Sequence, residues 1–277
     1  MASDVRPRLL DATQLARWER DGYLVVPRLF TPAECDELAA TFAEIYEQAR
    51  RNGGEIPGCF KIGTPEEIAV DPLKRYPRML WPHRHNPVVT RYMLHPSLGA
   101  ALTELFGEEP FAAQSMFYWK PPGGRGQAFH QDNFYLRVKP GTCIAAWIPL
   151  DPVDEENGGL MVVPGTQDLD IVCPEVADPA LSFTKDLVPI PIGYHETPVR
   201  LDPGDCLFFN GSIIHGSYPN RSATRFRRSF ICHYIGASTE ELGQHDKPAL
   251  AFDGRAVDGL RYTVGGGPCG AEGTAVH

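Results

Sequence analysis

The sequence predicts an all-β core of antiparallel sheet, a sandwich or a barrel, with helices on its flanks. Three observations lead there. The apolar period changes near residue 111, from helical spacing to short alternating runs. Those runs are separated by Pro, Gly, Asp and Asn clusters, with "ENGG" and "DPGD" as strong turn signals. No repeat and no linker divides the chain, so one domain over residues 1–277 is expected: a helical flank at about 10–110, a sheet core at about 111–236 and a tail at 237–277.

Taken in order, "YLVVPRLF" reads as a short strand closed by Pro27. "TPAECDELAATFAEIYEQARR" reads as a helix, with Thr31 as N-cap, Pro32 in the first turn and Glu34 completing a capping box. Its apolar residues Leu38, Phe42, Ile45 and Tyr46 recur on one face. Residues 52–78, rich in Gly, Pro and charge, read as a long loop. "NPVVTRYMLHPSLGAALTELFG" is a helix pair broken at Pro96 and stopped at Gly107. The strands of the core are "FAAQSMFYW", "AFHQDNFYL", "TCIAAWIPL", "GLMVVPG", "TPVRLDPGDCLFFNG", "IIHGS" and "RFRRSFICHYI". The Gly-rich stretch "VGGGPCGAEGTAVH" reads as a lid or a frayed end.

Composition narrows the function classes. The 277 residues carry a net charge of −9 with no basic run, which argues against nucleic acid and anionic membrane surfaces as partners. No apolar run is long enough to span a membrane, and the N-terminus lacks the apolar centre of a signal peptide. The seven cysteines are odd in number and form no C-x-x-C pair, so reduced thiols, no disulfide framework and a cytoplasmic location are expected. The partner expected is a small molecule, and the chain a monomer or homodimer.

Chemistry is concentrated in "AFHQDNFYL". The run reads as a half-buried strand, so His130 and Asp132 share a face while Phe129, Gln131 and Asn133 point away. An imidazole and a carboxylate so placed can fill two corners of a metal's coordination sphere, and His215 in "NGSIIHGS" is the candidate third ligand. Two histidines and one carboxylate with open positions is the non-haem Fe(II) arrangement. H-x-D alone also fits a core histidine with an incidental acid nearby. Downstream, alternation puts Arg225, Arg227, Ser229 and Ile231 on one face and Phe226, Arg228, Phe230 and Cys232 on the other. An inward guanidinium needs an anion, which a dicarboxylate would supply. Solvated arginines are the plainer reading for part of that cluster.

The ordered set resembles the phytanoyl-CoA dioxygenase family of Fe(II)- and 2-oxoglutarate-dependent oxygenases. It comprises "DGYLVVPRLFTPAE", "HQD" at 130–132, Trp147 in "AAWIPL", "ENGGLMVVPGT", "PGDCLFFNGSIIHGS" and an Arg about a dozen residues beyond His215, and it runs from about residue 20 to 236. The resemblance implies a double-stranded β-helix, the jelly roll also seen in cupins. It makes His130, Asp132 and His215 both the catalytic residues and the ligands of Fe(II), with 2-oxoglutarate and O2 as cosubstrates. It makes Arg227 the grip on the distal carboxylate, with Ser229 beside it and Trp147 packed on the cosubstrate. Arg228 is the rival if one inserted residue shifts the strand. Gln114 and Lys120 border the site on the strand "AAQSMFYWK", and Asn133, Trp81, Phe117 and Arg228 are candidate substrate contacts. Related halogenases lack the carboxylate ligand, so Asp132 favours hydroxylation. Gln167 stands where relatives usually carry a histidine that is not a ligand.

Desaturation, cyclisation or epimerisation on the same centre are the alternatives within enzymes. A non-catalytic jelly-roll binding protein and a zinc hydrolase are alternatives outside that chemistry. His83 and His85 in "WPHRHNP" read as part of a lid or a helix entrance. Residues 52–86 and 168–197 are the expected specificity segments, since long loops on a rigid scaffold carry recognition.

Overall fold

The protein is described here from a computed structural model that covers residues 9–264. The Gly-rich stretch from 265 onward lies outside the described residues. Capping residues set the helices of the N-terminal flank. Helix α1 (Ala12–Asp21) starts at an Asp11–Gln14 capping box and ends at Gly22, whose φ of 74° is left-handed. Strand β1 (Tyr23–Val26) follows. In α2 (Pro32–Arg51) the Thr31 hydroxyl accepts from Glu34 N–H, and the Glu34 side chain accepts from Thr31 N–H. Its buried stripe is Cys35, Leu38, Phe42, Ile45 and Ala49.

Residues 52–78 differ from the expected loop. They hold a hairpin (Glu55–Ile56 with Phe60–Lys61), helix α3 (Pro65–Val70) and a 3-10 turn (Pro72–Arg75). Thr64 caps α3 in a capping box with Glu67, but none of its residues is buried, so no apolar stripe announced it. Strand β2 (Met79–Leu80), α4 (Pro87–Met93) and α5 (Pro96–Phe106, stopped at Gly107) complete the flank.

The core strands are β3 (Pro110–Lys120), β4 (Gln127–His130), β5 (Ile144–Pro149), β6 (Leu160–Val162), β7 (Thr197–Pro198), β8 (Cys206–Asn210), β9 (His215–Ser217) and β10 (Arg227–Gly236). They form a six-stranded sheet in the order β1-β8-β5-β10-β3-β2 and a four-stranded sheet in the order β7-β6-β9-β4. Every pairing in both is antiparallel.

Strand alternation gives the larger sheet two faces. Phe117, Ile148, Phe208, Phe230 and Cys232 pack under the helices, with Phe42 of α2 stacked on Phe117 at 3.8 Å between ring centroids. Met116, Tyr118, Trp147, Leu207, Phe209 and Ile231 face the smaller sheet and meet Leu160 and Val162 there. The protein is thus sheet-rich, with one sheet sandwiched between a helical layer and a second sheet, and a cavity opens in the inter-sheet layer.

Two expectations need correction. The run "AFHQDNFYL" is a strand only as far as His130. Asp132 has helical dihedrals (φ −61°, ψ −35°) and precedes a short helix, α6 (Asn133–Leu136), so Phe134 and Tyr135 are helical. The cysteines are not all thiols: Cys173 is disulfide-bonded, while Cys35, Cys59, Cys143, Cys206 and Cys232 are free and buried. An odd count without C-x-x-C excludes a dense framework but not a single bridge, so it carries no argument about compartment. Among the described residues no helix is long and apolar enough to cross a membrane.

Candidate metal centre

Antiparallel pairing brings the two histidines together. His130 ends β4, and His215 begins β9 directly opposite it in the ladder. Side chains so paired share a face and stand within contact of each other; here the two rings lie 4.2 Å apart between centroids. Asp132 reaches the same point from the turn after β4. Its Oδ1 is 3.5 Å from Nε2 of both His130 and His215. One ligand atom from each of the three residues lies within 4.8 Å of the others, and all three side chains are buried.

Hydrogen bonds set the orientation of each group. His130 Nδ1 lies 2.9 Å from the Ala128 carbonyl and His215 Nδ1 3.1 Å from the Ile213 carbonyl. A carbonyl only accepts, so each Nδ1 carries the proton and each Nε2 turns its lone pair to the centre. The second carboxylate oxygen, Oδ2 of Asp132, is held by Nε2 of buried His233 at 2.9 Å. The amide of Gln127 lies 3.0 Å from Nε2 of His130. Two imidazole nitrogens and one carboxylate oxygen, buried and convergent, fit a divalent transition metal held on one face.

Arg227 closes the far end of the same cavity. It is 3% exposed, and its Nη1 donates to Ser229 Oγ at 2.6 Å. Its guanidinium lies 5.3 Å from the Trp147 ring centroid and 5.9 Å from that of Tyr118. Nε of Arg227 is buried without a hydrogen-bond partner. Burial pulls this arginine down from 12.5 to about 10, with Tyr118 and then Asp151 acting in the opposite direction. A buried cation with an open donor calls for an anion. Trp147, Met116, Leu160, Phe209 and Ile231 supply the apolar walls between it and the histidines.

Other expected contacts lie elsewhere. Phe117 is fully buried under the helices, stacked on Phe42 and edge-on to Trp119, on the face of β3 away from the cavity. Arg228, on the opposite face from Arg227, makes a two-pronged pair with Asp151. The register with β3 runs unbroken from Arg227 to His233, so alternation keeps Arg227 inward. Asn133 bonds the loop at residues 138–141 and faces away from the centre. Trp81 and Gln114 both donate to Asp246, at 2.8 and 2.9 Å. Lys120 is buried beside Arg227, but its ammonium is taken up by Ser217 Oγ and the Tyr218 carbonyl, both at 2.7 Å. Burial first, and Arg227 second, hold it well below the usual lysine range. Lys120 also accounts for part of "ENGG": Gly158 has φ +90°, and a Cβ there would sit 2.4 Å from the Lys120 side chain.

His233 and Gln127 gained no role from the sequence. The sequence does place His233 on the face opposite Phe230, pointing inward farther along the strand, but gives it no partner, whereas nothing in the spacing marks Gln127. His83 bonds Ser115 Oγ at 2.6 Å and packs in the 3-10 turn before α4. Gln167 donates to backbone carbonyls of α1.

A family model for phytanoyl-CoA dioxygenase (PhyH) matches residues 18–229. The chain belongs to this family. The phytanoyl-CoA dioxygenase family consists of enzymes of the Fe(II)- and 2-oxoglutarate-dependent oxygenase type, and the matched span contains both histidines, Asp132 and Arg227. A probable phytanoyl-CoA dioxygenase of Caenorhabditis elegans is 27% identical over 237 residues, covering 82% of this chain and 75% of that protein. Two solved structures share the fold. EctD from S. alaskensis with 2-oxoglutarate and 5-hydroxyectoine has a TM-score of 0.68 at 21% identity, over 93% of this chain and 89% of that one. The epimerase SnoN with Fe3+, alpha ketoglutarate and nogalamycin RO has a TM-score of 0.62 at 24% identity, over 82% of this chain and 84% of that one.

Proposed function

We propose that this family member is an Fe(II)- and 2-oxoglutarate-dependent dioxygenase that hydroxylates a small organic molecule, with its jelly-roll core and helical flank acting as one oxygenase domain. His130, Asp132 and His215 hold the iron, and Arg227 with Ser229 holds the distal carboxylate of 2-oxoglutarate. When bound, the iron supplies activation of O2 coupled to decarboxylation of 2-oxoglutarate to succinate and CO2. The protein's own residues bind, orient and keep water out. The two Nδ1 protons, fixed on backbone carbonyls, hold the imidazoles as neutral ligands, and His233 leaves only one oxygen of Asp132 for the metal.

The observation that carries this reading is the pairing of a buried His-Asp-His cluster with a buried guanidinium whose Nε is unsatisfied, in one cavity. That guanidinium has no role in a zinc hydrolase, and its pairing with an intact His-Asp-His triad argues against a non-catalytic binding protein. The presence of Asp132 supports hydroxylation over halogenation. The test is succinate release from 2-oxoglutarate under air with added Fe(II), across a substrate panel. Substrate-stimulated succinate that disappears in Asp132→Ala is the expected result. No succinate with any substrate, from protein that binds Fe(II), would overturn the proposal.

A further inference from the structure

Tyr118 lines two cavities. On one side is the inner cavity of the His-Asp-His cluster and Arg227; on the other is a cavity of about 430 Å³, large enough for a small organic molecule. The second cavity is built from both expected specificity segments: Lys61, Lys74 and Arg78 come from residues 52–86, and Phe183 from 168–197. Phe183 packs against Tyr118 at 6.0 Å between ring centroids, which gives the cavity an aromatic wall.

Its charges are unequal, in a protein of net charge −9. Among its cations, Lys74 is paired with Glu67, Arg125 with Asp71 and Lys61 with Glu55. Lys120 is held by Ser217 and Tyr218. Arg78 has no carboxylate within ion-pair distance among the described residues. Its Nη1 donates to the Tyr118 hydroxyl at 3.1 Å, and its guanidinium lies 5.7 Å from the Tyr118 ring centroid. Tyr118 therefore has an arginine without a carboxylate partner in each cavity, Arg227 in the inner one and Arg78 in the outer one. One cosubstrate answers for Arg227 but leaves Arg78 open.

We propose that the outer cavity is the substrate's anion subsite: Arg78 binds a carboxylate or phosphate of the substrate, whose apolar body lies along Tyr118 and Phe183 toward the metal centre. A guanidinium matches either group through paired hydrogen bonds. This rests on the reading of the inner cavity as the 2-oxoglutarate site.

The experiment loads the protein with Mn(II) and saturating 2-oxoglutarate without oxygen, so that the inner site is filled, and measures binding of three probes calorimetrically. These are 3-phenylpropionate, 2-phenylethyl phosphate and the neutral 3-phenylpropanamide. At least one anion is expected to bind about tenfold or more tightly than the amide, the scale of a charge-assisted hydrogen bond. Which anion does so identifies the group. Arg78→Gln should bring the ratio close to one, and Arg78→Lys should keep part of it. Both variants should bind 2-oxoglutarate as wild type does, which also shows that they fold. Equal binding of all three probes, binding of none, or a preference that survives in Arg78→Gln overturns the subsite. Failure of the wild type to bind 2-oxoglutarate with Mn(II) would instead overturn the reading of the inner site.

Discussion

Arg227→Met should have opposite effects on two properties of the protein. In the absence of a bound anion, Arg227 is a buried guanidinium with one hydroxyl partner and an unsatisfied Nε. Its fall from 12.5 to about 10 corresponds to about 3 kcal/mol of free energy by which the fold disfavours the charged form. A carboxylate docking there recovers energy of that order, so losing the arginine should weaken 2-oxoglutarate binding roughly 100-fold. The same change removes an uncompensated charge and leaves an apolar side chain between Trp147 and Tyr118. The ligand-free variant should therefore be as stable as wild type or about 1–2 kcal/mol more stable. Calorimetric titration with 2-oxoglutarate in the presence of Mn(II) measures the first effect, and urea unfolding of the metal-free protein the second. Arg227→Lys, which keeps a charge but loses the fork, should fall between the two in affinity. A 2-oxoglutarate affinity within about threefold of wild type, from a variant that still folds, would refute the reasoning.

Three further outcomes follow from named contacts. His233→Phe removes the bond that holds Oδ2 of Asp132 and should lower Mn(II) affinity about 10- to 100-fold; an unchanged affinity would leave His233 without a positioning role. Phe117→Ala opens a hole beneath the helices and should cost about 3–5 kcal/mol in urea unfolding, with 2-oxoglutarate affinity retained; a loss of substrate use without loss of stability would return Phe117 to the site. Burial beside Ser115 holds His83 from 6.5 down to about 3. The unfolded chain therefore takes up this proton before the folded chain does. Stability should rise with pH across that window and be lost as pH falls through it, by at most about 3 kcal/mol at pH 4. His83→Asn should flatten that part of the urea-midpoint profile, and an unaltered slope would assign the acid sensitivity to other groups.

Local pattern made much of this molecule legible. The capping box at Thr31 and Glu34, the stop at Gly107 and the faces of β10 follow from rules that act within a few residues. Alternation along β10 favours Arg227 over its rival Arg228 as the inward residue, and the structure has Arg227 in the cavity and Arg228 paired with Asp151. Asp132 stands beside His130 as alternation predicts, but through a helical turn rather than a continued strand. The chain leaves the strand after His130 because Gln131 is tied to Ser212 and Val172 and Asn133 N–H to Gly211. Those partners are distant in sequence, so alternation could not anticipate the turn. Phe117 lies under α2 and Trp81 turns to Asp246 for a similar reason, since which face of β3 is covered and where Asp246 sits are tertiary facts; Gln114 keeps the expected inner face, opposite His233, with its amide on Asp246. Helix α3 had its capping box in view but no apolar stripe, and Arg78 had no motif at all. Its isolation from carboxylates emerges only when Lys74, Arg125 and their acids are seen in place.

In the proposed site His130, Asp132 and His215 hold an iron whose cosubstrate is gripped by Arg227. The most direct measurement is a crystal structure of the anaerobic protein with Fe(II) and 2-oxoglutarate, with anomalous data at the iron edge. The expected map has one iron peak about 2.0–2.2 Å from His130 Nε2, Asp132 Oδ1 and His215 Nε2, and a 2-oxoglutarate carboxylate on the Arg227 guanidinium. An iron peak away from these three residues, or a cosubstrate carboxylate on Lys120 or Arg78 with Arg227 left open, would contradict the account.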